Sequence, residues 1–252
     1  MSRPLDNRVA LITGAGTGIG RATAERLAAD GAFIGIHYHS SRTGADRTLA
    51  AIRRMGGDGL LIPGDISCEA EANGMVDALV RERGRLDILV NNAGTPVQRV
   101  SIEDCPLEVW EQVIATNLTG SFLVTRRAIP HLRASGHGSI INNLSLSVQT
   151  GGAHGGGPYA ASKGGLQVFT RTLARELAPQ VRVNAVMPGV IETPHHDVFS
   201  TPERMEQYRR ETPIGRNGNP GEVAQVIAFL AGDESSFMTG ALLDINGGRF
   251  LR

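Results

Sequence analysis

Four things are scarce in this sequence, and each shortage removes a class of function. Two cysteines, Cys68 and Cys105, with no C-x-x-C pair, exclude a disulfide framework or a cysteine zinc site and point to a reducing compartment. Aromatic residues are only 4 % of the chain, too few to give a nucleic-acid surface its stacking platforms. The 25 basic and 25 acidic side chains cancel, so no long-range field gathers nucleic acid or an anionic membrane. No apolar run approaches the ~20 residues of a membrane helix, and Met1-Ser-Arg-Pro-Leu-Asp6 lacks a secretion-signal core. A cytoplasmic protein with neither nucleic-acid nor membrane partners is expected.

What is plentiful is glycine, 32 residues in 252, within a chain that is 41 % hydrophobic. That length and apolar content suit one large α/β domain spanning 1–252, with a core on both faces of a sheet. Strand-like runs at 8–13, 33–38, 59–63, 87–91, 138–144, 181–187 and 241–246 alternate with helical patterns. Continuously apolar strands such as the one around Ile140-Ile141 suit a parallel sheet, whose strand carboxyl ends share one edge. Ligands bind along that edge. Two loops are unusual: the glycine-rich 151–158, and a polar stretch over about 193–219, expected to cover the substrate and to hold a helical piece near 202–210.

The first strand runs straight into Gly14-Ala-Gly16-Thr17-Gly18-Ile19-Gly20, with an amphipathic segment from Arg21 to Asp30 behind it. Glycines let the backbone approach a pyrophosphate, and a helix amino end offers it unpaired N–H groups. The spacing is G-x-x-x-G-x-G, distinct from the commoner G-x-G-x-x-G; plain turns also use clustered glycines.

Farther on, Tyr159 and Lys163 lie four residues apart in Pro158-Tyr-Ala-Ala-Ser-Lys-Gly-Gly165, one above the other on a helix. An ammonium about 4 Å from a phenol, at an effective dielectric of ~20, favours the phenolate by up to ~4 kcal/mol, roughly three pKa units below ~10. A phenol so tuned exchanges its proton near neutral pH. Y-x-x-x-K also arises on ordinary solvated helices.

Leu89-Val-Asn-Asn-Ala-Gly94 and Ile140-Ile-Asn-Asn-Leu-Ser145 each close a strand, and Ala115-Thr-Asn-Leu-Thr-Gly120 falls within a long helix. With these motifs in this order, the chain resembles the classical short-chain dehydrogenase/reductase family from the strand before Gly14 to Asp244-Ile-Asn-Gly-Gly248. The resemblance implies a Rossmann-type, doubly wound parallel sheet of seven strands with helices on both faces, and a nicotinamide dinucleotide cofactor. It makes Tyr159 the acid/base, Lys163 its activator and a ribose ligand, a serine the carbonyl anchor, and Asn117 the holder of a relay water. It also places Gly14, Thr17, Gly18, Ile19 and Gly20 under the pyrophosphate. Asp65 and Ile66 fall at the adenine, although Asp65 or Ser67 can equally cap a helix. Asn92, Ala93 and Gly94 lie along the cofactor, and Pro188, Gly189, Ile191 and Thr193 at the nicotinamide.

An NAD enzyme ends its second strand with a carboxylate for the ribose 2′-hydroxyl. Here Tyr38, His39, Ser40, Ser41 and Arg42 stand there, offering donors and no repelling acid to a 2′-phosphate, so NADP(H) is favoured over NAD(H). The serine is assigned to Ser145 by aligning Gly138-Ser-Ile-Ile-Asn142, although Ser145 and Ser147 stand fourteen and twelve residues before Tyr159 where relatives use thirteen. Ser147, Arg99, His154 and His195 are candidate substrate contacts on polar loops that suggest a small sugar, sugar acid or polyol carbonyl. Adjacent His195-His196 has no metal-ligand spacing, and no metal is expected. A 3-oxoacyl-carrier-protein reductase is the alternative within the family, and a non-catalytic dinucleotide sensor the alternative outside catalysis. No G-x-S-x-G surrounds Ser145, which argues against a hydrolase. Family members are commonly tetramers joined through two long helices, here about 107–134 and 158–178, and through the last strand.

Overall fold

The computed structural model describes residues 3–251, the side chain of His195 excepted. Seven strands form one parallel sheet: β1 (Val9–Ile12), β2 (Phe33–Tyr38), β3 (Gly59–Pro63), β4 (Ile88–Asn91), β5 (Gly138–Asn143), β6 (Val181–Pro188) and β7 (Leu242–Ile245), in the order β3-β2-β1-β4-β5-β6-β7. The order reverses between β1 and β4, the switch point at which an open α/β sheet leaves a crevice beyond its strand ends.

Side chains alternate across this sheet and divide the core in two. Ala10, Ile12, Ile34, Ile36 and Val90 pack with α1 (Gly18–Ala29), α2 (Arg42–Arg54) and α10 (Pro220–Ala231). Val9, Leu11, Leu89, Ile140 and Val183 pack with α3 (Glu69–Arg83), α5 (Gly120–Ser135) and α7 (Gly157–Leu177). Leu89 is fully buried, so Leu89→Ala would cost about 2–5 kcal/mol. Such burial on both faces explains why the strands read as unbroken apolar runs.

The helix expected over 107–134 is three pieces in line. After α4 (Leu107–Ile114) the chain makes a π-helical turn, Ala115–Thr119, before continuing as α5. Such turns insert a residue into the helical ladder and recur at functional sites; Asn117 is its buried member. The helix after the glycine loop starts at Gly18, ahead of Arg21, with Thr17 extended as its N-cap.

The stretch 193–219 contains two helices, α8 (Pro194–Phe199) and α9 (Pro202–Glu211), where one was read. Its base is stapled, because Glu192 N–H donates to Gly218 C=O and Gly218 N–H to Val190 C=O, both at 2.9 Å. A short helix, α6 (Ser147–Thr150), follows β5. Among the described residues no helix is long and apolar enough to cross a membrane.

Candidate active site

The glycine loop is shaped by contacts only glycine allows. Gly14 and Gly18 have φ of +66° and +52°, which side-chain-bearing residues avoid. At Gly20 the reason is space: a Cβ would sit 2.2 Å from Gly14 O and 2.5 Å from Asn92 Nδ2. The first turn of α1 is thereby pressed against the loop, its amino end open toward the cavity.

Three neighbours hold the loop. Thr13 Oγ1 accepts from the N–H groups of Asn92 and Ala93 at 2.9 and 3.0 Å. Asn92 Nδ2 donates to the carbonyls of Thr13 and Gly14 at 2.9 and 3.2 Å. Buried His37, on β2, accepts from Gly14 N–H through Nδ1 at 3.0 Å; the proton must therefore be on Nε2, which donates to Gly64 C=O at 3.0 Å. Burial holds this imidazole below its ordinary pKa, in the neutral form the contact requires.

From this loop a cavity of about 850 Å³ runs along the strand ends to α8 and α9, within the usual range of ligand pockets. One end is lined by Gly14, Thr17, Gly18, Ile19 and Gly20, with Tyr38, His39, Ser40 and Ser41 beside them. Asn92, Ala93 and Gly94 line the middle, facing Pro188, Gly189, Ile191 and Thr193. At the far end Tyr159, Lys163, Ser145, Ser147 and Arg99 come together. Residues as far apart in sequence as Gly14 and Thr193 thus meet in one space.

Ser145 and Tyr159 both line the cavity, where the Ser145 hydroxyl acts to lower the phenol's pKa, and Ser147 N–H donates to Ser145 Oγ at 3.1 Å. Of the two serines left open by the spacing, Ser145 is the one whose hydroxyl bears on the phenol's pKa. Ser147 Oγ is buried without a partner.

Lys163, only 2 % exposed, donates from Nζ to Asn143 C=O at 2.7 Å. The expected acidification of the phenol is absent from this cavity. Burial pushes Tyr159 up to about 12, with the Ser145 hydrogen bond and the Arg99 charge opposing it. Burial likewise lowers Lys163 to about 8. The ammonium stands 5.7 Å from the phenol ring centre and is directed at a carbonyl, so desolvation of each group outweighs their mutual attraction.

Asn117 touches this cluster from behind and does not line the cavity. Its Oδ1 accepts from Thr95 N–H at 2.8 Å, and its Nδ2 donates to Thr95 C=O and Ser162 Oγ, both at 3.0 Å. Ser162 Oγ in turn donates to Tyr159 C=O at 2.7 Å. A Cβ on Gly94 would lie 3.2 Å from both Asn117 Oδ1 and Lys163 Nζ, which is how closely the π turn, the post-β4 loop and α7 converge.

Other expected residues fall outside the cavity lining. Arg42 is turned away, donating to Tyr38 OH at 3.0 Å and to Asp46 at 3.2 Å. Asp65 accepts from Ser67 N–H and Oγ at 2.9 and 2.7 Å, so it caps its own turn, and Ile66 packs where a Cβ on Gly120 would be 2.7 Å away. His154 is exposed in its glycine loop and does not line the cavity, although its neighbour Ala153 does. The His195 side chain lies outside the described residues.

Conversely, His37, Asn143 and Arg249 line the cavity without having been singled out. His37 lies inside an apolar strand where a histidine reads as core, and Arg249 in a terminal segment that reads as a free or neighbour-seeking tail.

A nicotinamide dinucleotide fits these residues. Gly14, Thr17, Gly18, Ile19 and Gly20 line the cavity where α1 begins, and the open N–H groups of a helix amino end suit a phosphate. Near Lys163, the buried Asn143 Oδ1 has no partner and offers an acceptor to a ribose or amide donor.

A family model described as enoyl-(acyl carrier protein) reductase matches residues 14–249. An uncharacterized oxidoreductase of Methylorubrum extorquens is 38 % identical over 247 residues, covering 97 % of this chain and 98 % of that one. Among solved structures, a short-chain dehydrogenase/reductase titled glucose/ribitol dehydrogenase from Brucella melitensis superposes with a TM-score of 0.92, at 36 % identity over all of both chains. A xylitol dehydrogenase solved with NAD+ bound gives 0.90 at 33 % identity, covering 97 % of this chain and 99 % of that one. With its seven-stranded sheet, glycine cradle and phenol–serine–lysine cluster, the chain belongs to the short-chain dehydrogenase/reductase family and is a nicotinamide-dependent oxidoreductase of alcohols and carbonyls.

Proposed function

We propose that this protein interconverts a secondary alcohol and a carbonyl on a small polar substrate of the sugar, sugar-acid or polyol type, with Tyr159, Ser145, Lys163 and Asn117 as its catalytic set. The observation that carries the reading is the convergence of the Tyr159 and Ser145 hydroxyls on one cavity beside a buried ammonium. A bound nicotinamide supplies or accepts the hydride; the protein manages the proton and the developing charge.

In reduction, negative charge grows on the carbonyl oxygen, and two hydroxyl donors aimed at it stabilise the transition state more than the ground state. A phenol with a pKa near 12 is fully protonated at neutral pH, the state a proton donor needs. Lys163 compensates the phenolate left behind and orients ribose hydroxyls. Asn117 would hold its relay water by a group other than its side-chain amide, which Thr95 and Ser162 already engage.

NADP(H) is the proposed coenzyme. His39, Ser40 and Ser41 line the adenosine end and no carboxylate does. The exposed Arg42–Asp46 pair is one helical turn apart, a weak association from which a 2′-phosphate can draw the guanidinium. Two relatives whose titles name polyol or sugar dehydrogenation support the polar substrate. Assembly into a tetramer, with each subunit one functional unit over 1–252, would cover Trp110, Phe122 and Val168, exposed on α4, α5 and α7. Sedimentation at micromolar concentration tests it.

The decisive experiment is Tyr159→Phe. Turnover of the wild type's best substrate should fall by at least ~10²-fold while coenzyme binding persists, and unchanged kcat would refute the role. A panel of sugars, polyols, uronates and an acetoacetyl thioester, each with both coenzymes, tests the rest. Turnover of the thioester alone would replace the sugar reading by the acyl-carrier reductase.

A further inference from the structure

The chain as a whole carries no net charge, yet every Asp and Glu among the described residues is absent from the cavity lining, whereas Arg99, Lys163 and Arg249 all contribute to it. Lys163 belongs to the proton chemistry. The two arginines lie toward α8 and α9, beyond the reacting hydroxyls.

Arg249 is held in place by a built turn. Gly247 and Gly248 have φ of +65° and +81°, which folds the chain back after β7, and Ile214 N–H donates to Gly247 C=O at 3.2 Å. The guanidinium then lies over the Tyr208 ring, its carbon 4.5 Å from the ring centre. Nη2 pairs with Glu211, and Nη1 is buried without any hydrogen-bond partner. Arg249 also lines the cavity, and a buried donor without a partner costs free energy that an acceptor brought in by a ligand would recover.

Arg99 is fixed by one hydrogen bond, from Nε to Phe199 C=O at 2.8 Å. Its charge bears on the Tyr159 phenol and on His196, and the His196 ring lies 6.5 Å from that of Tyr208. A path of side chains thus leads from the phenol through Arg99, His196 and Tyr208 to Arg249.

Building on the function proposed above, we infer that Arg249 and Arg99 are specificity residues for a carboxylate, so that the substrate is a hydroxy or oxo acid, such as an aldonate or uronate, rather than a neutral polyol. A planar guanidinium matches a carboxylate, and stacking on Tyr208 holds it ready. Glu211 tempers the charge of Arg249 and keeps that site from closing on any passing anion.

The test compares gluconate with sorbitol, and glucuronate with glucose, in wild type, Arg249→Met and Glu211→Gln. Wild type should prefer the acid of each pair in kcat/KM, and gluconate but not sorbitol should raise Tm. Arg249→Met should cut the acid-to-neutral ratio by about 10–100-fold, mainly through KM. Glu211→Gln keeps an acceptor for its neighbour Gln207 but removes the tempering charge, so KM for the acids should fall. A tail-anchoring ion pair without ligand role would instead make Glu211→Gln behave like Arg249→Met. That result, or equal use of acid and neutral members by wild type, overturns the inference and leaves the polar-substrate reading standing. No turnover of any sugar or polyol, with turnover of the acetoacetyl thioester, removes both.

Discussion

Gly20→Ala is the smallest change that should disable the protein, and its consequence can be worked from the coordinates. Gly20 has ordinary helical backbone, so alanine is not strained by φ; the entire penalty is steric. The new Cβ would meet Gly14 O at 2.2 Å, Gly14 C at 2.9 Å and Asn92 Nδ2 at 2.5 Å, from about 0.5 to about 1 Å inside van der Waals contact. None of these atoms is the end of a flexible side chain: the loop carbonyl is backbone, and the Asn92 amide is tied to Thr13 C=O at 2.9 Å. The loop must therefore move by roughly 1 Å, at a stability cost of about 1–3 kcal/mol, or about 2–10 °C in Tm for a chain of this size. Displacement on that scale costs ~10²-fold in positioning, and coenzyme affinity should fall by a similar factor. Titration of the coenzyme fluorescence and a thermal scan read the two effects. Gly74→Ala is the control: Gly74 is exposed in the interior of α3 with nothing within 4 Å of its Cβ position, so it should gain about 0.5–1 kcal/mol with binding unchanged. If Gly20→Ala binds coenzyme as wild type does and melts within ~2 °C of it, the cradle is not where the loop's glycine requirement comes from.

Two further perturbations act through burial. Lys163 keeps its proton below about 8 in the folded chain and below the ordinary 10.5 when unfolded; between those values the unfolded state binds more protons, so wild-type stability should rise with pH across that window. Lys163→Met should consequently melt higher than wild type at pH 7, by about 1–2 kcal/mol after the lost Asn143 hydrogen bond is subtracted, with the gap shrinking toward pH 10 and catalysis largely lost; a lower Tm at pH 7 would refute the burial argument. His37 has its folded pKa depressed below 6.5, so stability and coenzyme affinity should both be lost as pH falls from 6.5 through that lower value, when Nδ1 becomes a donor facing the Gly14 N–H. Coenzyme titrations at pH 7.5 and 5 on wild type and His37→Asn should show the steeper acid loss in wild type, and equal loss in both would remove His37 from the account.

The parts of this protein written in periodicity and glycine were legible in its sequence. Unbroken apolar strands alternating with helices imply a sheet covered on both faces, and the strand ends could then be read as one edge, which is where Gly14, Asn92, Ser145 and Gly189 stand. Less legible was anything set by dielectric. The spacing of Tyr159 and Lys163 brings the pair together but says nothing of how dry the site is, and dryness reverses the direction of the phenol's shift. Distance along the chain hid the rest. Arg249 comes back to the cavity only because two left-handed glycines turn the tail. Nothing local to Asn117 announces a π turn, since the inserted residue is defined by hydrogen bonding between successive turns and not by composition.

The asparagines at the ends of β4 and β5 show how the catalytic edge is kept in register. Asn91 and Asn142 pair across the two strands, with Asn91 Nδ2 donating to Asn142 Oδ1 and to Thr125 Oγ1, each at 2.9 Å, and Asn142 Nδ2 to Thr170 Oγ1 at 2.9 Å. One residue on, the side chains face the opposite way, and Asn143 Nδ2 donates to Asn92 Oδ1 at 2.9 Å. The first pair thus ties the strands to α5 and α7, and the second ties the glycine loop, through Asn92, to the carbonyl that receives Lys163. Amides at the centre of an apolar sheet cost free energy unless they are bonded. That cost makes them selective, because sliding either strand by one residue would break both pairs and carry each amide to the wrong face. Apolar residues in the strand bodies supply the stability; polar ones at the strand ends fix the distance between the glycine loop at Gly20 and Lys163, far along the chain.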